Sequence, residues 1–172
     1  MCGISGFISN KKLIRNNAIV NTLDLMKNRG PDYNSSYTQI VDDKNISLLH
    51  SRLKIIDIHS RSNQPYRYKN FILIFNGEIY NFIELRNKLK KMFKFDTSSD
   101  TEVLLKSYIA YGKKCVDHLE GMWSFAIWDI KKKSLFLSRD PFGEKPLFFY
   151  YSKDGFFFGS EIKYIKSLCE KN

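Results

Sequence analysis

What this sequence lacks excludes several classes of protein at once. No segment approaches the roughly 20 consecutive apolar residues that a bilayer-spanning helix needs. The N-terminal Met-Cys-Gly-Ile-Ser-Gly-Phe has no basic leader and no long apolar stretch, so it does not read as a secretory signal. Only three cysteines are present, Cys2, Cys115 and Cys169, an odd number at scattered spacing that suits neither a disulfide framework nor a zinc site. His50, His59 and His118 lack ligand spacing with one another, and no metal is expected. Low-complexity stretches, long linkers, repeats and phosphate-cradling glycine loops are missing too. These absences point to a cytoplasmic protein, and 172 residues is the length of one domain.

Acidic residues are also scarce, 18 against 28 lysines and arginines, for a net charge of +10. A nucleic-acid partner is one reading of such a surplus. The lysines are dispersed in short groups (Lys11-Lys12, Lys90-Lys91, Lys131-Lys132-Lys133), without zinc-finger spacing, a heptad zipper or an aromatic RNA-binding consensus beside them. The surplus is therefore read as decoration of solvent-facing surfaces, with neither nucleic acid nor membrane as a partner.

What is present is core material: 43% of residues are hydrophobic and 15% aromatic, which argues against disorder. Residues 3–9 read as a strand, and 17–28 as a helix with Ile19, Leu23 and Met26 at helical spacing. Arg29-Gly30-Pro31-Asp32 ends that helix. Strands are expected at 46–50, 54–58 and 71–75, the last apolar at every position and so buried on both faces. A helix over 82–93 carries a cap pattern at Asn81 and Glu84, and the next opens on a capping-box pattern at Ser99 and Glu102. The last third reads as four strands, 123–130, 134–138, 147–151 and 156–159, with a final helix from about 161. Trp123, Phe125 and Trp128 read as core. Clustered strands and helices without strict alternation place the chain in the α+β class with antiparallel sheets.

Six segments carry a resemblance. They are Cys2-Gly3-Ile4-Ser5-Gly6, Arg29-Gly30-Pro31-Asp32, His50-Ser51-Arg52-Leu53, Asn76-Gly77-Glu78-Ile79-Tyr80-Asn81, Ser99-Asp100-Thr101-Glu102, and Ser138-Arg139-Asp140-Pro141-Phe142-Gly143-Glu144-Lys145-Pro146-Leu147. In this order, over nearly the whole chain, they resemble the class II glutamine amidotransferase domain of glutamine-hydrolysing asparagine synthetases. The resemblance implies an N-terminal-nucleophile hydrolase fold over residues 2–172, a four-layer αββα sandwich of two antiparallel sheets between helices. It implies hydrolysis of glutamine to glutamate and ammonia, with no cofactor in this domain. ATP and magnesium belong to a second, synthetase domain that makes asparagine from aspartate and whose pyrophosphate-binding motif is not in this sequence. That partner domain is expected in cis or in trans, and self-association into a homodimer is left open. A free-standing amidotransferase serving another acceptor and a catalytically silent glutamine-sensing module are the alternatives.

Amide hydrolysis needs a nucleophile, a base, oxyanion donors and a grip on the substrate. Cys2 is the nucleophile candidate; removal of Met1 would place a free α-amine, with a reference pKa of about 7.7–8.0, on the same residue as general base. Asn76 and Gly77 are the oxyanion candidates, although Asn-Gly alone is a strong hairpin signal. Arg52 suits the substrate α-carboxylate because a guanidinium meets a carboxylate in two bonds. Asp100, helped by Glu78, suits the α-ammonium, although an acid in the first turn also favours a helix without binding anything. The Arg29–Asp32 and Arg139–Leu147 segments read as turns that shape the site.

Overall fold

The computed structural model describes residues 1–10 and 16–169. The elements run β1 (Gly3–Asn10), α1 (Asn16–Met26), β2 (Tyr33–Val41), β3 (Lys44–Arg52), β4 (Tyr66–Tyr68), β5 (Phe71–Ile79), α2 (Phe82–Leu89), α3 (Asp100–Tyr111), β6 (Gly121–Asp129), β7 (Ser134–Arg139), β8 (Phe148–Ser152), β9 (Gly155–Gly159) and α4 (Ile162–Cys169). One sheet has the order β2-β3-β1-β9-β8 and the other β4-β5-β6-β7. Every paired strand is antiparallel.

The run Phe71–Phe75 explains the layering. Its side chains alternate between faces with a period of two. Ile72 and Ile74 point to the first sheet, where they meet Ile4, Leu48 and Phe158. Leu73 and Phe75 point the other way, against Leu85 and Leu89 of α2 and Val103 and Leu104 of α3. Each such side chain contributes about 1.5–3 kcal/mol when fully buried. A third cluster joins Phe7, Leu49 and Phe157 to Ile19 and Met26 of α1 and to Tyr164 and Leu168 of α4. The result is α1/α4, sheet, sheet, α2/α3: the four layers that the resemblance implies. Trp123, Phe125 and Trp128 are core, as expected.

Several expectations are corrected. Residues 54–58 form no strand; the Arg52 side chain gathers the carbonyls of Ile56, Asp57 and His59, and this ties the segment off as a loop. β2 went unforeseen because Tyr-Asn-Ser-Ser-Tyr-Thr-Gln carries no apolar alternation; it is a half-exposed edge strand paired only with β3. β5 continues through Asn76-Gly77 to Ile79, so this pair is not a turn. Asn81 precedes α2 without capping it: its amide donates to His118 O (3.0 Å) and accepts from Glu120 N–H (3.1 Å). Ser99 does cap α3, but at Thr101 N–H (3.0 Å). Glu102 reaches beyond Ser99 to the N–H groups of Asp96 (3.1 Å) and Thr97 (2.8 Å), and it pairs with Lys106.

The charge surplus sits mostly outside, as read, but not entirely. Lys106 is fully buried beside Tyr68 and Phe95, and Lys145 is buried as well. Lys11 and Lys12 lie outside the described residues. Among the described residues no helix is long and apolar enough to cross a membrane, and no group of three or more His, Cys, Asp or Glu could hold a metal ion.

Candidate active site

Antiparallel pairing of β1 with β3 sets Gly3 opposite Ser51, so the start of the chain lies beside the end of β3. The far half of β5 and the first turn of α3 reach the same edge of the sandwich. Cys2, Arg52, Asn76, Gly77, Glu78 and Asp100 thus line one pocket, although they are spread over nearly a hundred positions. The pocket is open to solvent on one side, with about 530 Å³ of empty space that includes this opening. All six residues singled out from the sequence are in it.

The Cys2 sulfur sits against one backbone unit, donating to Leu53 O (3.6 Å) and accepting from Leu53 N–H (3.4 Å). Burial pushes its pKa above the ordinary thiol value; the Leu53 N–H, the chain's amino terminus and Arg52 pull the other way without cancelling that effect, and Asp100 adds to the rise. The thiol therefore stays protonated near neutral pH and needs a base.

Asn76 is almost completely buried, and its Nδ2 finds no acceptor among the described residues. A buried donor without a partner costs about 1–3 kcal/mol, so its place on a pocket wall calls for an acceptor from outside the fold. Next to it, Gly77 has no room for a side chain: a Cβ there would lie 2.2 Å from Met122 O. Glycine alone lets the β6 backbone and the Phe75 ring come this close.

Asp100 begins α3, where the helix dipole favours negative charge. Its carboxylate accepts from Ile79 N–H (3.2 Å) and Ser99 Oγ (3.4 Å). Burial nevertheless raises its pKa to about 6, over the opposing pull of those bonds and of Thr101 N–H, and neighbouring Glu78 adds to the rise. Two acidic side chains thus face one pocket, and a bound cation would relieve both.

Arg52 is placed as expected but is occupied. Its Nη1 donates to His59 O (3.0 Å) and Asn63 Oδ1 (2.7 Å), and its Nη2 to Ile56 O (3.3 Å) and Asp57 O. A two-bond grip on a carboxylate through the Nη pair has to displace some of these loop acceptors.

Sequence reasoning missed further residues. Arg29, assigned to a turn, donates from Nε to Cys2 O (2.9 Å) and so holds the nucleophile candidate's own peptide. The Arg139–Leu147 segment is a turn, held by Asp140, which accepts from Trp123, Glu144 and Lys145 N–H groups. It delivers Lys145 to the pocket wall, where Nζ lies 3.2 Å from Met1 Sδ. Gln64 also lines the pocket. No spacing rule could have found these residues, since each acts through space.

Comparison with known proteins settles the class. A family described as a glutamine amidotransferase domain matches residues 1–172. This chain belongs to the glutamine amidotransferase domain family. The domain is 41% identical to a protein named asparagine synthetase [glutamine-hydrolyzing] 3 of Bacillus subtilis, over 96% of this chain and 27% of that protein. It is 36% identical to a putative asparagine synthetase [glutamine-hydrolyzing] 2 of Methanocaldococcus jannaschii, over all of this chain and 36% of that one. The amidotransferase domain therefore spans about a quarter to a third of the length of these relatives. Among solved structures it resembles glutamine phosphoribosylpyrophosphate amidotransferase from B. subtilis, with a TM-score of 0.73 at 20% identity, over 97% of this chain and 43% of that one. The two share a fold, α+β with two stacked antiparallel sheets.

Proposed function

We propose that this amidotransferase domain hydrolyses glutamine through Cys2 and passes the ammonia to an ATP-dependent synthetase domain that forms asparagine from aspartate. The observation that carries the reading is the buried Asn76 amide, a donor without an acceptor in the pocket that also holds Cys2. The acceptor half rests on the relatives, which are named as glutamine-hydrolysing asparagine synthetases.

In this reading Met1 is first removed, which leaves Cys2 with its own α-amine. That amine takes the thiol proton, and the sulfur attacks the γ-amide carbon of glutamine. The developing oxyanion is received by Asn76 Nδ2 and Gly77 N–H. The amine then hands the proton to the departing nitrogen, ammonia leaves, and water hydrolyses the γ-glutamyl thioester to glutamate. Asp100 and Glu78 hold the substrate ammonium, and Arg52 trades loop acceptors for the substrate carboxylate. No metal or cofactor enters these steps; ATP and magnesium act in the synthetase domain.

The test is ammonia release from glutamine with intact mass read on the same sample. Protein lacking Met1 should release ammonia, and Cys2→Ala should not. Processed protein that neither hydrolyses nor binds glutamine, even beside a supplied synthetase domain, would overturn the proposal.

A further inference from the structure

β4 begins at Tyr66, opposite Leu73, whereas β5 runs on past that point to Ile79. Among the described residues, no strand lies beside this edge of β5 beyond Leu73. In an antiparallel strand the backbone groups of alternate residues face the same edge, so Phe75, Gly77 and Ile79 share the one that β4 leaves open. The groups on either side of Gly77 are taken by side chains. Phe75 N–H donates to Gln64 Oε1 (2.6 Å), Phe75 C=O accepts from His50 Nε2 (3.1 Å), and Ile79 N–H donates to Asp100 Oδ2 (3.2 Å). Gly77 N–H lies between them on the edge that lines the pocket.

His50 comes from β3, in the other sheet, and is fully buried. A carbonyl can only accept, so the proton sits on Nε2 and the tautomer is fixed. Burial lowers its pKa to about 3, with Arg52 adding to the fall and the Phe75 bond opposing it, so the ring stays neutral through the physiological range. Gln64 is buried as well, and its Nε2 donates to Thr101 Oγ1 (3.3 Å), which ties it to the first turn of α3. Phe75 is thus clamped at both backbone groups by two side chains doing what a neighbouring strand would do. The clamped carbonyl belongs to the peptide that leads into Asn76.

We propose that His50 and Gln64 are positioning residues: by holding Phe75 where β4 does not reach, they aim the Asn76 amide and the Gly77 N–H at the oxyanion. The inference rests on Asn76 and Gly77 being the oxyanion donors. Misplacement of a catalytic group by about 1 Å costs on the order of a hundredfold, so a clamp at the preceding peptide acts on rate more than on substrate affinity.

The experiment uses a γ-aldehyde analogue of glutamine. The Cys2 sulfur bonds to its carbonyl carbon, the C=O π pair becomes an alkoxide in the oxyanion site, and the thiol proton goes to the Cys2 α-amine. Affinity for this adduct reads the oxyanion donors, whereas affinity for glutamate reads the rest of the pocket. Each processed variant is assayed for kcat, KM, binding of both compounds, and thermal unfolding. His50→Phe, which has no donor, should lower kcat and aldehyde affinity together by between about tenfold and a hundredfold, with KM and glutamate affinity within about twofold. His50→Gln, which keeps a donor, should recover part of that loss. Gln64→Met should behave like His50→Phe, and Gln64→Glu, which keeps the acceptor, should be milder; this second pair decides if His50→Phe does not fold. Unchanged aldehyde affinity in the folded variants, or parallel losses of glutamate and aldehyde binding, would overturn the proposal. Asn76→Ala is run beside them. If it too leaves aldehyde affinity intact, the oxyanion reading itself has failed; if it weakens the aldehyde while the clamp variants do not, only the clamp has failed.

Discussion

Asp100 offers the sharpest test of how this pocket recognises its substrate. Its pKa of about 6 against an ordinary 3.8 means that between these values the folded protein holds a proton that the unfolded chain has released. The group therefore contributes stability at low pH that is lost as pH rises from 3.8 through 6, an effect of about 3 kcal/mol for a shift of this size. Glutamine reverses the sense of this dependence. In the proposed function its ammonium pairs with the ionised carboxylate, so binding would have to remove the proton wherever one is present. Affinity should be nearly flat above pH 7 and fall about tenfold by pH 5, since one unit below the pKa about nine in ten carboxyls are protonated. Calorimetric titration of glutamine into Cys2→Ala from pH 5 to 8 avoids turnover and measures this directly. Asp100→Asn should lose about 1.5–3 kcal/mol of binding at pH 7, the scale of a charge-assisted hydrogen bond, and should no longer respond to pH. Thermal unfolding of the unliganded protein should show the opposite slope between pH 4 and 6, and Asp100→Asn should flatten it. A glutamine affinity that is constant from pH 8 to 5, or an Asp100→Asn variant that binds as tightly as the parent, would refute the assignment of this carboxylate to the ammonium.

Other outcomes follow from the same geometry. Asn76→Ala should lower kcat by about 10²–10³-fold with little change in KM, the usual result of removing one oxyanion donor, measured as ammonia release. Gly77→Ala should cost both activity and stability, because its Cβ would meet Met122 O and Trp123 Cα at 2.2 and 2.8 Å; assay and unfolding midpoint should fall together. While Met1 is present, the raised Cys2 thiol should alkylate slowly at pH 7 and faster as pH rises through 9, as followed by intact mass. Lys106→Met should destabilise by about 3–5 kcal/mol in urea, since it leaves Glu102 buried without its partner, and adding Glu102→Gln should recover part of the loss.

The layering of the fold was largely legible in the chain. A run such as Phe71–Phe75 has no polar face and must be buried on both sides, and the helical stripe Ile19, Leu23, Met26 needs a sheet to lie on. What periodicity missed was the strands that lack it. β2 is polar along most of its length and is held by pairing with β3. β4 has three residues, too few to show a period. The extension of β5 through Asn76-Gly77 was hidden for a different reason: these two residues favour a turn locally, and the ladder to Ser124 and Trp123 overrides that preference.

The site divides the same way. The sequence by itself determined its chemical types: a thiol next to the chain's start, an amide beside a glycine, a guanidinium, and acids at a helix start. It also determined their class, through an ordered set of motifs. Only the tertiary structure decided how those groups are set to work. Arg52 is tied up by its own loop, Asp100 is held near pKa 6, Lys145 reaches the pocket on a turn, and Phe75 is clamped by His50 from the opposite sheet. The physical reason is that residue type and spacing specify what a group can do locally, whereas desolvation and hydrogen bonding depend on neighbours brought from distant parts of the chain.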